Sequence, residues 1–184
     1  LIELRLRDTP IQELYLTNNV NLTGLHVGKT PGSSQGNIAN FIPTTTHPSG
    51  QVDINVLQTL DVSACSVMHQ LNAGGAQISN YNHTNSPLMT QFHIDHNNLS
   101  GTMDLTQNTN LADLDLSHNQ LTGVDLSGSI NIAIVKINDN NITGTIDLSN
   151  SPNLHNLNCS NNPNLDYIDL SYGPTCSFVL PPNN

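Results

Sequence analysis

Residues 111–127 read Leu-Ala-Asp-Leu-Asp-Leu-Ser-His-Asn-Gln-Leu-Thr-Gly-Val-Asp-Leu-Ser, and this stretch decides the fold. Leu111, Leu114 and Leu116 are followed by Asn119, and Leu121, Val124 and Leu126 then repeat the same apolar spacing. Alternation of apolar with polar residues over so short a run predicts a strand with one face buried. The pattern recurs from Leu1, Leu22, Met68, Met89, Leu111, Ile132 and Leu154, in steps of 21 or 22 outside the 22–68 interval. A second set starts at Ile11, Leu57, Ile78, Leu99, Leu121, Ile142 and Leu165, and its members at Leu99 and Ile142 carry one extra residue. A fixed step of this length marks stacked coils. The expectation is a mostly β solenoid of about seven coils, with short strands on both sides of each coil and little or no helix.

The turns repeat as well. Asn97, Asn119, Asn140 and Asn162 follow the first strand, and Asn21, Asn110, Asn131 and Asn153 follow the second. An amide both donates and accepts, so an inward Asn can satisfy backbone groups left bare at a turn. Two stacked Asn ladders are therefore expected. Ala76 replaces Asn in the coil of residues 68–78 and leaves a rung missing there.

The segments Leu111–Asn119 and Leu154–Asn162 resemble the L-x-x-L-x-L-x-x-N unit of the leucine-rich repeat family. Their alternation with Leu-Thr-Gly-Val-Asp-Leu-Ser, as at 121–127, resembles the short 21–22-residue class found in secreted and surface proteins of bacteria. The resemblance is strongest over 89–171 and implies a curved solenoid that serves recognition or adhesion. One domain is expected over 1–184, as a fragment of a longer chain because Leu1 begins directly in a strand. Residues 28–56, rich in Pro, Gly, Ser and Thr, read as an inserted loop, and 172–184 as a C-terminal cap with Cys176 and Val179 inward.

Composition narrows the function. Only 10% of the 184 residues are charged, and 14 acidic against 4 basic residues give a net charge of -10. A nucleic-acid partner needs cations to displace phosphate counterions, and an anionic membrane surface needs them too. No apolar run approaches the length of a membrane-spanning helix. The low Lys content and abundant Asn, Ser and Thr suit an exported chain, secreted or at a cell surface, or alternatively at a virion surface.

The outward positions of the first strand line one broad face. Binding is expected there at Gln70, Asn72, Gln91, His93, Asp113, Asp115, Asn156 and Asn158, whose amides, imidazole and carboxylates suit hydrogen bonding to a protein or glycan. At a strand spacing of about 4.8 Å, His93 should stand beside Asp115, and His96 beside His118 with Asp139 following. His93, Asp95, His96, Asp115, His118 and Asp139 are thus candidate ligands of zinc or another divalent ion, or a pH-sensitive patch. No resident cofactor is expected, with Ca or Zn as the ions to consider.

The second strand carries Asp61, Asp104, Asp125, Asp147 and Asp169 in one column. Two charges at that spacing repel by about 0.9 kcal/mol in water and about 3.5 kcal/mol at an effective dielectric of 20. Hydrogen bonds from nearby hydroxyls and turn amides, as in the recurring Asp-Leu-Ser and Asp-Leu-Thr, are the expected remedy, with calcium bridging and raised pKa values as the others. Ser79, Ser100, Thr122 and Thr143 form a hydroxyl row; regular threonine rows can order water, as on ice-binding surfaces, but ordinary strand propensity explains these four better. Cys65, Cys159 and Cys176 are expected as free thiols. Sequons stand at Asn21, Asn82, Asn98, Asn141 and Asn158.

No nucleophile elbow, phosphate-binding loop or H-E-x-x-H motif occurs, and the expectation is a non-enzyme. The functional expectation is an extracellular recognition or adhesion module. The alternatives are a structural subunit of a cell-surface filament or virion fibre, with neighbouring subunits as partners, and a surface for ice or mineral.

Overall fold

The computed structural model describes residues 3–7, 13–16, 20–28, 57–82, 86–171 and 177–179. The expected Leu1 start, nearly all of the 28–56 loop, Cys176 and most of the C-terminal cap lie outside them. The described residues contain no helix. The fold is a parallel β-solenoid of the leucine-rich-repeat type.

One side of every coil contributes to a single eight-stranded parallel sheet. Its strands are β1 (Glu3–Arg7), β3 (Gly24–Gly28), β5 (Gln70–Asn72), β7 (Gln91–His93), β9 (Asp113–Asp115), β11 (Ile134–Lys136), β13 (Asn156–Asn158) and β15 (Ser177–Val179). The central residue of each inner strand points in. Leu71, Phe92, Leu114, Val135 and Leu157 stand in register and are almost wholly buried. The flanking residues, being of opposite pleat, point out. In the last strand Phe178 stands opposite Leu157 and Val179 opposite Asn158 in the backbone register.

The other side is built differently. Its strands are β2 (Glu13–Tyr15), β4 (Thr59–Asp61), β6 (Asn80–Asn82), β8 (Ser100–Asp104), β10 (Gln120–Asp125), β12 (Thr143–Asp147) and β14 (Asn164–Asp169). They form three separate sheets, β2-β4-β6, β8-β10 and β12-β14. The breaks fall before β8 and before β12, the two coils with one extra residue. In each, a glycine takes a left-handed conformation, Gly101 at φ 79° and Gly144 at φ 72°. Each of these glycines stands beside a register shift against the following coil, where Thr122 and Asp166 are left unpaired.

Between the two sides lies one apolar core. Leu, Ile, Val and Met from successive coils form one continuous cluster, and burying each such side chain contributes roughly 1.5–3 kcal/mol. Phe92 also meets the Tyr81 ring at a centroid distance of 5.7 Å.

The first Asn ladder is present as expected. Asn119 Nδ2 donates to Leu116 O at 3.1 Å within its coil and to Ile94 O at 3.0 Å in the previous one, while its Oδ1 accepts from Leu99 N at 3.0 Å. Asn140 and Asn162 repeat this bonding. Asn97 covers the Ala76 gap from the next coil: its Oδ1 accepts from Ala76 N and Ile78 N, and its Nδ2 donates to Ala73 O.

The second ladder is corrected. Asn21, Asn110, Asn131 and Asn153 are exposed. The inward position lies two residues earlier, at Ser86, Asn108, Ser129 and Ser151, each at most 2% exposed. Successive tight turns, such as Asn108 N to Leu105 O and Leu111 N to Asn108 O, aim that residue inward. Asn110 and Asn131 instead cap carbonyls of the preceding coil, Pro87 O and Thr109 O, from outside. Cys65 occupies the inward place in its own coil. Cys65 and Cys159 are buried, and burial is the main cause raising both thiols above the usual range.

Candidate functional site

The long sheet places the eight expected binding residues in two adjoining columns. Gln70, Gln91, Asp113 and Asn156 share one column with Ile134, while Asn72, His93, Asp115 and Asn158 share the other with Lys136. Each column is held straight because the strands from β5 to β13 have the same three-residue length and pair in an unshifted register.

The polar side chains on this face are linked into short chains of contact. Gln91 Nε2 donates to Asp113 Oδ2 at 3.3 Å. His93 stands opposite Asp115 in the backbone register, as expected, but its imidazole leans toward Asp113, with Nε2 3.1 Å from Oδ1. Asp115 is already engaged: its Oδ1 accepts from the amide and hydroxyl of Ser117, and its Oδ2 lies 3.2 Å from Lys136 Nζ. His93 Nε2 is buried and, although it lies 3.1 Å from Asp113 Oδ1, has no hydrogen-bond partner. Lys136 was not among the expected site residues, although its place in the Asp115 column made the pairing readable.

A third group gathers at the turn after the sheet. Gly75, His96, His118, Asp139 and Asn161 occupy the same place in successive coils, and all have φ between 52° and 66°. This left-handed conformation favours Gly, Asn, Asp and His. It accounts for the residue types in this column without any ligand. His96 and His118 stack with centroids 4.0 Å apart, as the spacing predicts. Asp95 Oδ2 lies 2.8 Å from His96 Nδ1, and Asp139 Oδ2 lies 3.4 Å from His118 Nε2. Asn138 and Asn161 also donate to Asp139, at 2.6 and 2.7 Å.

Electrostatics follow this geometry. Burial raises the Asp95 carboxyl, but the His96 hydrogen bond and charge outweigh it and leave the group below its ordinary value. At Asp139 burial is again the largest single effect, and the bonds from Asn138 and Asn161 with the nearby His118 and His96 charges turn the balance downward.

The expected metal cluster is not assembled. His93 and Asp115 are engaged on the sheet, and Asp95, His96, His118 and Asp139 pair along the turn. Among the described residues no three or more His, Cys, Asp or Glu side chains are placed to hold an ion.

On the opposite side the aspartate column is satisfied locally. Asp61 Oδ1 accepts from Ser63 N at 2.9 Å and Ser63 Oγ at 2.7 Å, and the same pair of bonds joins Asp104 to Thr106, Asp125 to Ser127 and Asp147 to Ser149. Asp169 is bound in the same way by the amide and hydroxyl of Ser171. These bonds, the hydroxyl first and the amide second, lower the Asp61 and Asp147 carboxyls. Asp104 pairs with Asp125 and Asp147 with Asp169, but the step between Asp125 and Asp147 crosses a sheet break. The hydroxyl row is also interrupted, since Ser100 stands opposite Gln120 and Thr122 falls in the register shift.

No protein-family model matches the chain, and no curated protein matches it. Among solved structures it is similar to the functional domain of InlJ from Listeria monocytogenes, which includes a cysteine ladder. The TM-score is 0.67 at 20% identity, over 96% of this chain and 36% of that one. The likeness is one of fold. The present chain spans about a third of the solved chain's length, and its two described cysteines lie apart, Cys65 at a turn and Cys159 beside β13.

Proposed function

We propose that this chain is a non-enzymatic recognition module, exported to a cell surface or secreted, that binds a protein or glycan through the polar face of its long sheet. The observation that carries the reading is the centre of that face. There His93 holds a buried, unsatisfied Nε2 between two columns of amides and carboxylates. A buried polar atom without a hydrogen-bond partner costs about 1–3 kcal/mol, and around it Gln70, Asn72, Gln91, Asp113 and Asn156 are the exposed or half-buried groups that a ligand's polar atoms can reach. The aspartate column of the other side has its demands met within each turn and offers no such centre. The solenoid likeness to InlJ supports the architecture of a binding module, and the partner is argued from this chain's own residues.

The test is a titration of the isotopically labelled chain with defined soluble oligosaccharides and with purified extracellular domains, followed by amide chemical shifts. The reading expects a ligand whose shifts centre on Gln70, Gln91, His93 and Asp113, with affinity reduced in His93→Ala. Ligands whose shifts centre on Asp104, Asp125 and Asp147 would contradict it.

A further inference from the structure

The first outward column of the long sheet contains two adjacent alanines, Ala112 and Ala133, joined by the bond from Ala133 N to Ala112 O at 2.9 Å. Thr90 precedes them and His155 follows, each linked to the next alanine by a backbone hydrogen bond. Two methyl groups between bulkier side chains leave a shallow step in the face. Ile134 borders this step and is paired with Asp113 in the backbone register. It is the one large apolar residue in a column that otherwise runs Glu3, Gly24, Gln70, Gln91, Asp113 and Asn156 among the strands from β1 to β13. Ala112, Ala133, Ile134 and Asp113 are all half-buried.

Asp113 stands at the edge of this apolar step. Its described side-chain neighbours are the Gln91 amide and the His93 imidazole. The nearest column lysine, Lys136, lies against Asp115 instead. Asp113 therefore has no lysine or arginine partner among the described residues.

We propose that this step receives a lysine or arginine side chain from a protein partner. The aliphatic stem would rest on Ala112, Ala133 and Ile134, and the cationic head would reach Asp113. Long cationic side chains bury their methylenes on apolar surface while their charge stays at the rim. An anionic segment would meet the Asp113 charge and a chain whose net charge is -10. A sugar ring stacks on an aromatic surface, and Phe92, the aromatic at the centre of this sheet, is fully buried. The proposal rests on the recognition reading above and selects a cationic protein surface over a glycan.

The experiment is an NMR titration of the chain with a lysine pentapeptide, with a glutamate pentapeptide as the control. The lysine peptide should shift Ala112, Asp113, Ala133 and Ile134, with affinity falling as salt is added. Asp113→Asn should weaken it about fivefold, the size of one exposed ion pair. Asp125→Asn, on the other side of the coil, should leave affinity unchanged. Ala133→Leu fills the step without altering charge and should also weaken binding; if that variant does not fold, Asp113→Asn decides alone. Equal affinity in Asp113→Asn, or shifts centred on the Asp104–Asp169 column, would overturn the proposal. A glycan that binds at Gln70 and Asn72 while the lysine peptide is silent would overturn it too, yet leave the recognition reading standing.

Discussion

The two sides of each coil are made from the same leucine spacing, yet one forms a single eight-stranded sheet and the other breaks into three. The difference comes from one residue per break. On the long sheet the strands from β5 to β13 each have three residues, so backbone groups and side chains stack without a shift. On the other side, the sheet ends before each coil that carries an extra residue, where Gly101 and Gly144 are left-handed and the register to the next coil shifts. Each aspartate there is secured by its own turn, so the column does not depend on sheet continuity. A continuous sheet can hold side chains of several coils in fixed relation, which a binding face requires.

The largest effect is expected where the two sides are tied together. Asn140→Ala removes an amide that joins Leu116, Ile137 and Leu121, and leaves buried backbone groups unpaired. A loss of about 3 kcal/mol is expected from the penalty for such groups. Denaturant unfolding measures it, and a loss below about 0.5 kcal/mol, the range of a neutral surface change, would contradict the ladder's role.

Gly144→Ala should cost less. The added methyl meets nothing within 4 Å, so the penalty is that of a left-handed alanine, about 1–2 kcal/mol. It should be confined to the broken side, with hydrogen exchange of 143–147 faster and that of 134–136 unchanged. Equal acceleration on both sides would remove the distinction drawn between them.

Smaller still is the effect of a single serine cap. Ser127→Ala removes one exposed hydroxyl bond to Asp125 and should change stability by about 0.5 kcal/mol or less. Acid sharpens the same point at Asp147. Its carboxyl is lowered by Ser149, so its contribution is present above the unfolded value of about 3.9 and is lost as pH falls through the lower folded value. The stability difference between the parent and Ser149→Ala should therefore shrink between pH 6 and pH 2, as read from thermal midpoints. A difference that grows toward low pH would have the wrong sign.

Much of this was legible in the sequence. The inward leucines, the register of both outward columns on the long sheet and the first Asn ladder all follow from counting steps of 21 or 22. The stacking of His96 on His118 follows as well. The second ladder was misplaced by two residues, because an Asn-rich turn offers several amides and only the tight-turn geometry decides which one points inward. The extra residue at Leu99 and Ile142 was visible, but sequence does not say that a bulge will break the sheet rather than be absorbed in a loop. The metal cluster was drawn from column positions alone. Where an imidazole turns depends on its competitors, and Lys136 and Ser117 take the Asp115 carboxylate before His93 can.

The most direct test of the account is residue-resolved amide hydrogen exchange of the native chain. The account predicts continuous strong protection through 91–93, 113–115, 134–136 and 156–158, with a drop in protection on the other side at the steps into Ser100 and Thr143. Uniform protection around every coil, or drops at the same coils on both sides, would contradict it.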